Sequence, residues 1–130
     1  KEYKLHQIIY NKNNEIGSVI HTHSTYSTLW SCVDNNGKDV FPIYTPYLEM
    51  KLGKIKLIPY AKPGSKKLFN NFEEMVDKEY GFLLKNHGPI VAGENLLDAF
   101  YKLEEMEESA RISWMLERSS FEKDLIREIN

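Results

Sequence analysis

Between positions 81 and 93 the chain reads GFLLKNHGPIVAG. Two short apolar runs flank a polar turn that closes on Gly-Pro. Runs of this length between turn signals form buried strands. Gly88 allows a tight reversal, and Pro89 cannot donate to a ladder beyond it. This strand pair needs cover, and the flanking sequence supplies helical periodicity for it. Leu5, Ile8 and Ile9 predict a helix over about Glu2–Tyr10, and NKNNEIG is a turn-rich link. Ser18–His23 reads as a strand and Ser24–Val33 as a returning helix closed by DNNGKD. FPIYTPY is extended, LEMKLG a short helix, Ile55–Pro59 a strand and AKPGS a loop. Lys66–Tyr80, with Leu68, Phe72, Met75 and Val76, is an amphipathic helix. The last helix starts near Asn95, with Leu96, Phe100, Leu103, Met106 and Ala110 as its inward stripe. Glu104, Glu105, Glu107 and Glu108 form its solvated face.

No repeat, low-complexity run or linker divides residues 1–130, so the expectation is a single mixed α/β domain. A formal net charge of −2 leaves no footprint for nucleic acid or an anionic membrane. No apolar run approaches the roughly 20 residues of a membrane span. KEYKLHQIIY does not resemble a secretory signal. The lone Cys32 cannot form an internal disulfide, which predicts a reducing, cytoplasmic setting and a small core role for the thiol.

Two of the four histidines stand one residue apart in VIHTHS. On a strand, side chains at i and i+2 share a face, so His21 and His23 present two imidazoles side by side. Such a pair either holds a divalent transition metal or lines the wet face of an edge strand. His87, at the end of an apolar strand before Gly88, either caps a loop or faces a cleft. Together the three supply the imidazoles a catalytic metal needs, and a carboxylate would complete the set.

VIHTHS followed by LLKNHGPIVAG resembles the class II aldolase and adducin-like family, which includes fuculose-phosphate aldolase and ribulose-phosphate 4-epimerase. The resemblance implies that His21, His23 and His87 bind a divalent metal, usually zinc. It implies that Glu2, nineteen residues before His21 and four before His6, is the acid/base glutamate. KEYKLHQIIY, FPIYTPYLEMKLGKIKLIPYAKPGS and NHGPIVAGENLLDA look most like the 3-oxo-tetronate 4-phosphate decarboxylase branch, with Lys1–Glu2, Tyr47 with Gly53, and Ile58–Gly64 as matching features. Tyr47 matches a proton-donating tyrosine, with Tyr44 as a competitor. Lys1 is a candidate contact for a substrate carboxylate or phosphate. His6 is expected to be structural, and Asn86 to orient the His87 loop or a bound group.

The implied fold is a three-layer α/β/α sandwich around a largely antiparallel sheet, with the phosphate-binding N-terminal part of the family domain absent. The implied assembly is a homotetramer with sites between subunits. The implied reaction is decarboxylation of a 3-oxo-tetronate 4-phosphate to dihydroxyacetone phosphate through a zinc-stabilised enediolate. Class II sugar-phosphate aldolase or 4-epimerase activity is the alternative. A non-catalytic adducin-like interaction domain, which lacks the metal ligands, is a third reading.

Overall fold

The computed structural model describes residues 2–34, 36 and 39–126. Helix α1 (Tyr3–Lys12) leads into β1 (Ser18–His21), then α2 (Thr25–Ser31), α3 (Tyr47–Leu52) and β2 (Ile55–Ile58). After these come α4 (Lys66–Met75), β3 (Gly81–Leu84), β4 (Gly88–Gly93) and α5 (Leu96–Glu117). The sheet order is β1-β4-β3-β2. β4 runs antiparallel to both β1 and β3, with Ile90 opposite His21 on one side and Phe82 on the other. β2 lies parallel to β3, and α4 supplies the crossover that a parallel pair requires.

Alternation along the strands divides the interior into two cores. Val19, Ile58, Phe82, Leu84, Ile90 and Ala92 face α1 and α4, meeting Leu5, Ile9, Leu68 and Phe72. Ile55, Leu83 and Val91 point the other way, to Trp30 of α2, Leu48 and Leu52 of α3, and Met106 and Ala110 of α5. Helices thus cover both faces of a mainly antiparallel sheet, the three-layer arrangement expected. The two central strands are buried along their whole length, which is why they read as continuous apolar runs.

Three expected boundaries or faces differ. β1 ends at His21: Thr22 N–H still donates to Pro89 O at 3.3 Å, and the chain then leaves the sheet. α4 stops at Met75 because Val76 turns extended, its N–H closing on Phe72 O. The inward face of α5 is Ala99, Lys102, Met106, Ser109, Ala110 and Ser113. Leu96 and Phe100 of the expected stripe are 67% and 49% exposed. The small Ala99 wins the start of this face because α5 begins almost on top of β4. A Cβ added to Gly93 would stand 2.5 Å from Ala99 N.

Candidate metal centre

The site is assembled where β1 ends and where β3 turns into β4. The strand alternation that places Val19 in the α1 core puts His21 on that same face. Glu2 precedes α1 as its N-cap residue, but its side chain makes no cap hydrogen bond and turns to the sheet instead. His23 lies two residues beyond His21. His87 closes the turn after β3, where Asn86 adopts the left-handed conformation at φ 55°, a region asparagine tolerates. That turn is pinned to the end of α2: Asn86 N–H donates to Ser31 O (2.9 Å), and His87 N–H to Leu84 O (3.1 Å) and Ser31 Oγ (3.3 Å).

The three imidazoles form a nearly equilateral triangle, with ring centroids 5.2, 4.9 and 5.1 Å apart. Glu2 Oε2 lies 2.8 Å from His21 Nε2, and Glu2 Oε1 3.3 Å from His87 Nε2. The two Nε2 atoms are 3.2 Å apart. Each of the four side chains offers a donor atom within 4.8 Å of the others. His21 Nδ1 is 2.9 Å from Pro89 O. A carbonyl only accepts, so Nδ1 carries the proton and a neutral His21 keeps a bare Nε2 aimed at the cluster.

Lone pairs on nitrogen and carboxylate oxygen converging at these distances repel unless protons or a cation lie between them. Burial holds His87 below the ordinary histidine value, Glu2 pulls it up, and His21 and His23 push it down again. Burial likewise lowers His6, with His21 lowering and Glu2 raising it. Desolvation therefore works against storing protons at the inner end of the cluster. Three imidazoles, one carboxylate and an outer hydrogen bond fixing a tautomer make a donor set suited to a borderline-soft divalent ion such as Zn²⁺.

Other sequence candidates fall outside this cluster. Lys1 lies outside the described residues. Tyr47 opens α3 and is 56% exposed, and it is not one of the clustered side chains. Tyr44 is engaged elsewhere: its hydroxyl donates to Glu117 on α5, and partial burial together with that bond pushes the phenol up to about 12. Cys32, expected in the core, is exposed at the end of α2. Glu107, expected on a solvated face, instead accepts from Tyr26 N, Ser27 N and Ser27 Oγ and so anchors α2. The supporting groups that the sequence reading passed over are Pro89 O, Ser31 and Glu107. All act across long sequence separations, for which one sequence carries no local signal.

Residues 1–114 match the family model for the class II aldolase and adducin N-terminal domain. The chain is 38% identical over 117 residues to a 3-oxo-tetronate 4-phosphate decarboxylase of Escherichia coli O6:H1, covering 89% of this chain and 55% of that one. It is 35% identical over 115 residues to an L-fuculose phosphate aldolase of Methanococcus maripaludis, covering 88% and 61%. Among solved structures, YgbL from Escherichia coli superposes with a TM-score of 0.86 at 34% identity, covering 95% of this chain and 59% of that one. The chain thus spans little more than half the length of these relatives. With a family model matched over most of its residues and a shared three-layer fold, the chain belongs to the class II aldolase and adducin family.

Proposed function

We propose that the protein is a zinc-dependent carbon–carbon lyase that decarboxylates a 3-oxo-tetronate 4-phosphate to dihydroxyacetone phosphate. The observation that carries this reading is the convergence of Glu2, His21, His23 and His87 on one point. The name borne by the 38%-identical Escherichia coli relative supports the choice of substrate. His21, His23 and His87 would hold the cation through ring nitrogens, with Glu2 beside them; another divalent ion would suit the same donors. Bound there, the cation supplies Lewis acidity toward the substrate ketone.

The residues divide the remaining work. The three imidazoles add no negative charge, and Pro89 O keeps His21 in the ligating tautomer. Loss of CO₂ leaves an electron pair at C2, and Glu2 delivers the proton that completes the product at that carbon. Its side chain is 23% exposed, so the carboxyl reaches both the cluster and an arriving substrate. Lys1 is assigned to the substrate's carboxylate or phosphate. Tyr47 is assigned to proton donation in the aldol reaction of the second reading, in a site shared with a neighbouring copy within a homotetramer. Among the described residues no helix is long and apolar enough to cross a membrane, and we place the enzyme in the cytoplasm.

A second reading, aldol cleavage of a sugar phosphate, is favoured by the Methanococcus relative. Breaking a carbon–carbon bond beside a ketone develops the same charge in either reaction, so one site serves both. Metal-loaded protein offered 3-oxo-tetronate 4-phosphates, fuculose and ribulose phosphates and their unphosphorylated analogues separates the two. Release of CO₂ and dihydroxyacetone phosphate is expected, with the phosphate contributing most of the rate through positioning. Glu2→Gln should retain metal yet turn over roughly 10²–10⁴-fold more slowly, the span of general acid–base catalysis. Cleavage of aldol substrates alone would reject the decarboxylase reading. A Glu2→Gln variant as fast as wild type would reject the role of Glu2.

A further inference from the structure

We propose that Lys85 is a positioning residue for His87, fastening the turn that carries it to the C-terminal end of α2; this rests on the reading of His87 as a metal ligand. An imidazole that binds a metal is ordinarily oriented by a hydrogen bond from its other ring N–H. His21 has Pro89 O for this purpose. His87 differs. Its Nε2 faces Glu2 and His21, while its buried Nδ1 has no hydrogen-bond partner among the described residues. The direction of this ring is therefore set by the backbone that carries it.

That backbone is a tight turn. His87 N–H closes on Leu84 O at 3.1 Å, with Lys85 and Asn86 between them and Asn86 at φ 55°. A positive φ at the third position of a turn calls for glycine or asparagine. A residue other than glycine keeps it where the surroundings fix it. Three bonds to α2 do so here. Two come from the main chain: Asn86 N–H donates to Ser31 O at 2.9 Å, and His87 N–H also reaches Ser31 Oγ at 3.3 Å. The third comes from a side chain of the turn itself, because Lys85 Nζ donates to Val33 O at 2.7 Å. Val33 lies just past Cys32, the C-cap of α2, at the negative end of the helix dipole. A charge-assisted bond of this length is about twice as strong as a neutral one. Lys85 N–H also holds Ile58 O at the end of β2, at 2.9 Å. One residue thus ties the sheet to the helix directly before the left-handed Asn86 and the ligand that follows it.

The test compares Lys85→Met, which keeps most of the stem and removes the ammonium, with Lys85→Arg, which retains a cationic donor. Both should keep the far-UV circular dichroism of the wild type. Lys85→Met should bind zinc about 10–100-fold more weakly by chelator competition, the span for groups that orient metal ligands. Its cobalt(II)-substituted form should show an altered visible absorption spectrum, and Lys85→Arg should restore both readings. In a His87→Ala background the Lys85→Met change should move the residual zinc affinity by no more than about twofold, since the coupling runs through His87. Two results overturn the proposal alone: unchanged zinc affinity and cobalt spectrum in Lys85→Met, or an equal loss with and without His87. A folded wild type that binds no zinc removes the metal reading and this proposal with it.

Discussion

Glu107→Ala probes a support that lies outside the cluster. Ser24, the N-cap of α2, makes no side-chain cap bond; its hydroxyl accepts from Thr22 Oγ1 at 3.0 Å instead. The N–H groups of the first helical turn, which have no partner within the helix, are met from across the fold. Glu107 on α5 accepts from Tyr26 N at 2.8 Å, Ser27 N at 3.0 Å and Ser27 Oγ at 2.9 Å. A carboxylate in this position satisfies orphaned donors and complements the helix dipole. A helix cap is worth about 0.5–2 kcal/mol, and a hydrogen bond to a charged group about 1.5–3 kcal/mol. Three bonds to one carboxylate do not add in full. The expected loss is therefore about 3 kcal/mol in urea denaturation at neutral pH. Glu107→Gln should recover only part of it, because the amide NH₂ meets an N–H where an oxygen stood. Zinc affinity should fall as well, since Ser31 at the far end of α2 holds the His87 turn. A loss below about 0.5 kcal/mol, the range of ordinary surface substitutions, would refute this anchoring.

Two further substitutions test the local geometry. Gly88 sits at φ 150° with Thr22 O 2.7 Å from where a Cβ would stand, so Gly88→Ala should cost about 1–3 kcal/mol by thermal denaturation. A neutral result would reject the close approach. Asp98 is held below its ordinary carboxylate value of 3.8, first by Lys102 Nζ at 2.8 Å and next by the Glu94 N–H. On acidification the unfolded chain takes up this proton first. The stability Asp98 contributes is thus full above about pH 4 and lost as pH falls through the folded-state value. Asp98→Asn should flatten the stability–pH profile in that acid window, and an unchanged profile would reject the assignment.

Much of the fold was legible because the strongest signals were local. The two buried strands around NHGP, the α1 periodicity and the HxH spacing all depend on residues a few positions apart. On α5, Met106 and Ala110 of the expected stripe are buried and Leu103 packs against them, but the start of the stripe was misread for a physical reason. Hydropathy chose Leu96 and Phe100, but the close approach of α5 to Gly93 selects Ala99, a small residue that a hydropathy stripe undervalues. Lys102 is buried on that face because Asp98 pairs with it four residues earlier. The same limit applies to Glu107, whose hydrogen-bond partners lie 80 and 81 residues away. At the centre, the HxH spacing and the NHG motif named His21, His23 and His87 together, and the pairing of β1 with β4 is the physical means that brings the third to the first two. Glu117 engages the Tyr44 hydroxyl from 73 residues away, another pairing that a single sequence does not signal.

The central claim is that Glu2, His21, His23 and His87 form a metal site, and metal content tests it most directly. Protein stripped with a chelator, reconstituted with zinc and passed through a desalting column should retain about one zinc per chain by elemental analysis, as a single three-histidine site requires. Replacing His21, His23 and His87 together by alanine should abolish retention while far-UV circular dichroism remains that of the wild type. Full zinc occupancy in the triple variant, or a folded wild type that retains none, would contradict the account.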